Sequence, residues 1–148
     1  MDPRTSRGYL NNNPGNIDRS AAVWVGEIRD INSCKNDIQR RELTSGRFCV
    51  FTSSEYGIRA MAKNLRAYKK AFACQSIRDY INRWAPPSEN NTEAYIQTVA
   101  AKTGHGPDDP VDLELALPHL IEAIIGVECG GMPYEDGEIE RGIDLAGR

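Results

Sequence analysis

The sequence predicts a mainly helical domain carrying a small β-lobe, and three observations lead there. Four helical patterns follow one another between Ser54 and Cys129. Two short stretches rich in β-branched and aromatic residues, 22–31 and 47–51, come before them. The chain has 148 residues, 40% hydrophobic and 26% charged, which suits one globular unit able to bury a core without staples. Residues 1–148 therefore read as a single domain.

Taken in order, residues 7–17 (RGYLNNNPGNI) form a dense turn signal with three consecutive asparagines. An asparagine amide offers two donors and an acceptor, which suits either holding a loop together or contacting a sugar. Residues 22–31 and 47–51 read as strands, and 32–46, polar and turn-rich, as the mobile tip between them. From Ser54 onward Ile58, Met61, Ala62, Leu65, Tyr68 and Phe72 keep to one helical face, with the basic residues largely on the other. Ile77, Tyr80, Ile81 and Trp84 mark a shorter helix stopped by Pro86-Pro87. A cap near Asn91 opens a helix lined by Tyr95, Ile96, Val99 and Ala100, which Gly104 ends. Beyond it, the tail from Met132 leaves room for at most one short helix.

The most informative stretch is 117–131. Pro118 fits a first helical turn, and Gly130 and Gly131 supply a left-handed stop. Leu117, Leu120, Ile121, Ile124, Ile125 and Glu128 share one helical stripe, so the carboxylate is expected among aliphatic side chains. Burial and the negative end of the helix dipole both disfavour its ionised form, which is what a general acid needs. The plainer alternative is a frayed last turn with Glu128 in water.

Composition narrows the partners. A net charge of −3 gives no footprint for nucleic acid or an anionic membrane, and partners of either kind are not expected. The N-terminus lacks the apolar core of a signal peptide, so the chain is expected to be made in the cytoplasm. Cys34, Cys49, Cys74 and Cys129 are irregularly spaced with no paired histidines, which predicts no metal site and no cofactor, with free thiols as the default and disulfides left open. His105 and His119 have no sequence partner for a triad and read as structural or surface residues.

Several long strings carry a resemblance: Asn11-Asn12-Asn13-Pro14-Gly15-Asn16-Ile17; Trp24-x-Gly26; Phe48-x-x-Phe51-x-Ser53-x-Glu55-x-Gly57-Ile58-Arg59-Ala60; and Trp84-Ala85-Pro86-Pro87 with Glu89-Asn90-Asn91-Thr92-x-x-Tyr95-Ile96 after it. Together they resemble a family of small phage-encoded proteins described as structural or lysozyme-like. More distantly, the order Asn13 to Ile17, Trp24-Val25-Gly26, Phe48 to Ser53 and Tyr95 is similar to glucosaminidases of the flagellar and autolysin type. That family opens on a Glu-Ser-Gly-like helix end. Here Glu128-Cys129-Gly130 looks like the same piece displaced to the C-terminal side, with Cys129 where the family has serine, as though a lysozyme-like order had been circularly permuted. Termini that lie close together make such a permutation tolerable.

The resemblance implies a lysozyme-like α+β fold and a peptidoglycan-cleaving activity: muramidase, glucosaminidase or lytic transglycosylase. It would serve phage entry or lysis, or secreted antibacterial use, acting at the periplasm or cell wall or carried in a virion. Its partners would be glycan strands, with virion or secretion-machine components alongside. The alternative is a catalytically inactive virion or interaction protein that keeps the fold. On the first reading Glu128 is the general acid and Tyr95 stabilises charge beside it. A second carboxylate would stand roughly 6.5–9.5 Å away for inversion or about 5–5.5 Å for retention. Glu42 is preferred for it over Glu27, Asp30 and Asp37. Without one, Glu128 acts first as acid and then as base. Asn13, Asn16, Trp24, Phe51 and Trp84 are the candidate substrate contacts, the aromatics serving as sugar platforms or as core, and Glu55 is expected in a structural or substrate-orienting role.

Overall fold

Most helices in this chain open where a short polar side chain satisfies unpaired amides of the first turn, Ser54–Phe72 and Asp136–Leu145 being the exceptions. The computed structural model describes residues 2–147. Among them are α1 (Arg7–Leu10), α2 (Asp37–Ser45), α3 (Ser54–Phe72), α4 (Ile77–Trp84), α5 (Thr92–Thr103), α6 (Leu113–Cys129) and α7 (Asp136–Leu145). Asn36, Ser76, Asn91 and Asp112 each accept from an amide of the helix they precede, and Ser76 forms a reciprocal box with Asp79. Gly104 and Gly130 close α5 and α6 in the left-handed conformation, as their positions predict. The domain is thus mainly helical.

The expected β-lobe is reduced. Among the described residues the segment 17–52 pairs through isolated antiparallel bridges, Asp18 with Phe48 and Glu27 with Phe51, rather than through strands. Bonds from Cys49 N–H to the Ile17 carbonyl and from Ile28 N–H to the Val50 carbonyl hold the two stretches together. The supposed mobile tip contains α2. That helix escapes a search for apolar periodicity because its inward face is polar: its buried residues are Gln39 and Glu42. Gln39 donates to the Leu10 carbonyl at 2.9 Å, which ties α2 to α1.

Two helix limits also differ from expectation. Asp112 caps Glu114 and Leu115, so α6 starts a turn and a half before Pro118, which sits inside the helix and forgoes one i to i−4 hydrogen bond. On α3, Phe72 is exposed and lies under the Arg83 guanidinium, 3.6 Å from its ring centroid, instead of continuing the core face.

The core is built from α3, α4, α5 and α6, with Phe51 and Cys49 entering from the loop lobe and α7 closing over α3. The tail helix is a core element, since it buries Ile139, Gly142 and Ile143. A β-carbon at Gly142 would come within 2.5 Å of the Ile58 side chain and 3.1 Å of the Glu55 carbonyl. Gly142→Ala is therefore expected to lower stability by about 1–3 kcal/mol through overpacking, despite the better helix propensity of alanine, as a shift in urea midpoint would reveal.

Candidate functional site

The three residues that meet at the centre of the site come from distant parts of the chain. Glu128 lies on the last turn of α6, half-buried, one residue before the buried Cys129. Its Oε2 accepts from the Tyr95 hydroxyl at 2.8 Å, 33 positions away on the first turns of α5. Its Oε1 accepts from Asn16 Nδ2 at 2.9 Å, 112 positions away. Burial, and after it the Glu128 charge, push the Tyr95 phenol far above its ordinary value, so the hydroxyl keeps its proton and acts as a donor.

Asn16 reaches Glu128 because the loop 11–17 is stapled. Asn11 donates to Glu42 at 3.0 Å, and Asn12 to the Phe51 carbonyl at 3.0 Å. Asn13 donates to the carbonyls of Ile17 and Cys49 and accepts from the Ile17 amide. Asn16 itself adopts a left-handed backbone, φ 50°, which asparagine tolerates better than most residues. Its Oδ1 is buried without a hydrogen-bond partner, a cost accepted in aiming the amide at Glu128. Gly15 lets the loop lie on the cleft wall: a β-carbon there would sit 2.7 Å from Trp84.

Glu128 opens into a cleft of about 330 Å³. Trp84, Tyr68 and Phe48 supply aromatic surface, with Trp84 and Tyr68 edge to face at 6.3 Å between centroids. Asn64, Asn90, Arg83, Arg47, Asp18 and Glu89 supply polar groups. Arg47 pairs with Asp18 at 2.9 Å and with Glu89 at 3.3 Å. Glu128 differs from these two acids, since both of its recorded partners are neutral donors. A carboxylate oxygen has two acceptor directions, and the bonds from Tyr95 and Asn16 take one on each oxygen of Glu128.

Of the residues singled out from sequence, the structure brings Glu128, Tyr95, Asn16 and Trp84 together at this cleft. The others are elsewhere. Glu42 is 4% exposed on α2, with its oxygens taken by the Asn11 amide and, at 3.1 Å, the Phe48 N–H, while Arg7 stands 3.8 Å away. It is a structural carboxylate and is absent from the cleft wall. Glu27, Asp30 and Asp37 are likewise satisfied locally, by Arg29, by the Asn32 amide and by Arg40. Asn13 has its amide atoms engaged by Ile17 in its own loop and by the Cys49 carbonyl of the facing segment, so it holds the fold instead of facing the cleft. Phe51 is fully buried core. Trp24 packs against the core and frames the turn in which its amide donates to Glu27. Glu55 pairs with Arg141 from α7, away from the cleft, which leaves it the structural half of its expected role.

Arg47, Phe48, Asp18, Tyr68 and Glu89 line the cleft, as do Asn64, Arg83 and Asn90, although the sequence assigns none of them to a site. The usable signals are Phe48 and Glu89, which stand inside the resembling strings, and Asp18, which directly follows the asparagine loop that carries Asn16. Among the described residues all four cysteines are free thiols, and burial pushes Cys49 up to about 12. Among them too, no helix is long and apolar enough to cross a membrane, and no group of three or more His, Cys, Asp or Glu is placed to hold a metal ion.

The fold and site define a mainly helical protein with a Glu–Tyr–Asn cluster at the base of an aromatic cleft. No family model matches the chain. Protein P5 of Pseudoalteromonas phage PM2 is 38% identical to it over 143 residues, an alignment that covers 94% of this chain and 81% of the phage protein. The chain belongs to the family of that protein.

Proposed function

We propose that this protein cleaves the glycan strands of peptidoglycan, with Glu128 as the acid that protonates the glycosidic oxygen. The observation that carries the reading is the convergence of Tyr95 and Asn16 on the two oxygens of Glu128 at the base of a cleft with aromatic walls. Sugar rings stack on aromatic faces, and amides such as Asn64 and Asn90 match the hydroxyl and acetamido groups of amino sugars. The lysozyme-like class and its permuted order belong to this proposal. A phage relative fits an activity carried in a virion or released at lysis, and delivery by either route would bring the protein to the cell wall.

One carboxylate then serves both steps. Glu128 gives its proton to the leaving oxygen as the bond to the anomeric carbon breaks. The carboxylate left behind is held by the Tyr95 O–H and the Asn16 N–H. It next takes the proton of the nucleophile, which is the muramyl 6-hydroxyl in a lytic transglycosylase and water in a hydrolase. The first is favoured because the other two cleft acids, Asp18 and Glu89, are both engaged by Arg47. An inactive virion component that keeps the fold would retain the cluster as plain structure. Turnover by the wild-type protein separates the two readings, and Tyr95→Phe tests the phenol: removal of one charge-assisted hydrogen bond should lower turnover roughly 10- to 100-fold with little change in KM, on the scale of about 1.5–3 kcal/mol. Unchanged turnover in a folded Tyr95→Phe protein would count against a role for the phenol.

A further inference from the structure

The cleft does not end at Phe48. Arg47 and Phe48 also wall a shallower groove of about 510 Å³ with Arg7, Glu42, Ser45 and Gly46. That groove shares Arg7 and Glu42 with a further depression of about 340 Å³, which reaches Arg41 and the half-buried Leu10 and Ile38. The Phe48 ring lies between two guanidinium groups, 4.6 Å from Arg7 and 5.1 Å from Arg47. Arg19 adds a fixed cation behind the same turn, its N–H groups bonded to the carbonyls of Glu42, Gly46 and Phe48. Arg7, Arg19 and Arg47 thus surround the turn that carries Phe48, and Arg41 lines the adjoining depression, in a chain whose net charge is −3. The acids facing them are placed as follows: Glu42 is buried against Asn11 and the Phe48 amide with Arg7 3.8 Å away, Asp18 and Glu89 are on Arg47, and Asp37 is on Arg40 with the Arg41 charge also near it. Among the described residues this leaves Arg41 as the arginine of the groove with no ion pair of its own.

We propose that the groove from Phe48 to Arg41 binds the free carboxylates of the peptide stems carried by the glycan strand. The inference rests on the peptidoglycan reading of the Glu128 cleft and deepens it. A stem leaves every second sugar, so a groove continuous with the glycan cleft is where it would lie. Guanidinium forks match carboxylates, and the apolar Leu10 and Ile38 beside Arg41 suit a short alanine-containing peptide better than a bare inorganic anion. The class of substrate is therefore peptide-substituted, unamidated glycan, in preference to chitin-like or amidated strands.

The test has two arms. In the first, the free stem tetrapeptide and the same peptide with its carboxylates converted to carboxamides are titrated into the protein and followed by NMR. The carboxylate form should bind about tenfold more tightly, Arg41→Ala should remove most of that preference, and Arg41→Lys should restore part of it. Arg66→Ala, whose guanidinium pairs with Glu114 away from the groove, is the control and should leave the preference intact. In the second arm, kcat/KM on glycan strands bearing free stems should exceed that on amidated strands by a similar factor, again in an Arg41-dependent way. Equal binding of the two peptides, or a preference untouched by Arg41→Ala, would overturn the proposal. Selective, Arg41-dependent binding without cleavage of any strand would uphold the groove and refute the glycosidase reading instead.

Discussion

Glu128→Gln is expected to lower turnover on purified peptidoglycan by about 10²–10⁴-fold while the protein stays folded, because general acid–base catalysis is commonly of that size. The geometry explains why the fold should survive. Asn16 can still donate to the side-chain oxygen of glutamine, and the new amide can donate to the Tyr95 oxygen, so both hydrogen bonds at the site are kept with one reversed. What disappears is the exchangeable proton. A normal thermal midpoint and circular dichroism spectrum beside the lost rate would locate the defect in chemistry. Turnover within a factor of two of wild type would remove Glu128 from the mechanism.

The second large effect falls on stability. Glu42→Ala should cost about 3–5 kcal/mol, since it strands two donors, Asn11 Nδ2 and the Phe48 N–H, at roughly 1–3 kcal/mol each and leaves a cavity under α2. For a domain of this size that is a fall of roughly 10 °C in Tm. Glu42→Gln should be intermediate: it keeps the bond from Asn11 but turns an NH₂ toward the Phe48 N–H. Calorimetry on both variants checks the order. Activity per folded molecule should stay within a few-fold of wild type, and a rate loss as deep as that of Glu128→Gln would contradict the structural assignment of Glu42.

These two glutamates mark what could be read from the chain. Glu128 stands out in the sequence because it interrupts an aliphatic stripe just before a glycine stop, but that local pattern alone reads equally as a solvated helix end, and its placement beside Tyr95 and Asn16 needs the three-dimensional fold. Tyr95 follows a cap and a helix start for the same kind of reason, and α5 has both ends written in Asn91 and Gly104. Glu42 was misplaced because α2 faces inward with Gln39 and Glu42, so its polar inner side looked like a solvated loop. The ring of hydrogen bonds around Asn13 was invisible for a related reason. An asparagine that closes its own loop and one that reaches a distant carboxylate have the same composition, and only three-dimensional pairing sorts Asn13 from Asn16. Phe51 illustrates the ambiguity of aromatics, which serve core and cleft alike. The Arg47 bridge to Asp18 and Glu89 joins residues 29 and 42 positions apart, a pairing that no spacing rule announces.

The most direct test of the central claim is mass spectrometry of the soluble products after purified wild-type protein is incubated with purified peptidoglycan, with Glu128→Gln in parallel. The account predicts new glycan ends from the wild-type protein, carried by muropeptides one water lighter than hydrolysis would give, and almost none from Glu128→Gln. Folded wild-type protein that releases no new glycan ends, or equal release by both proteins, would contradict it.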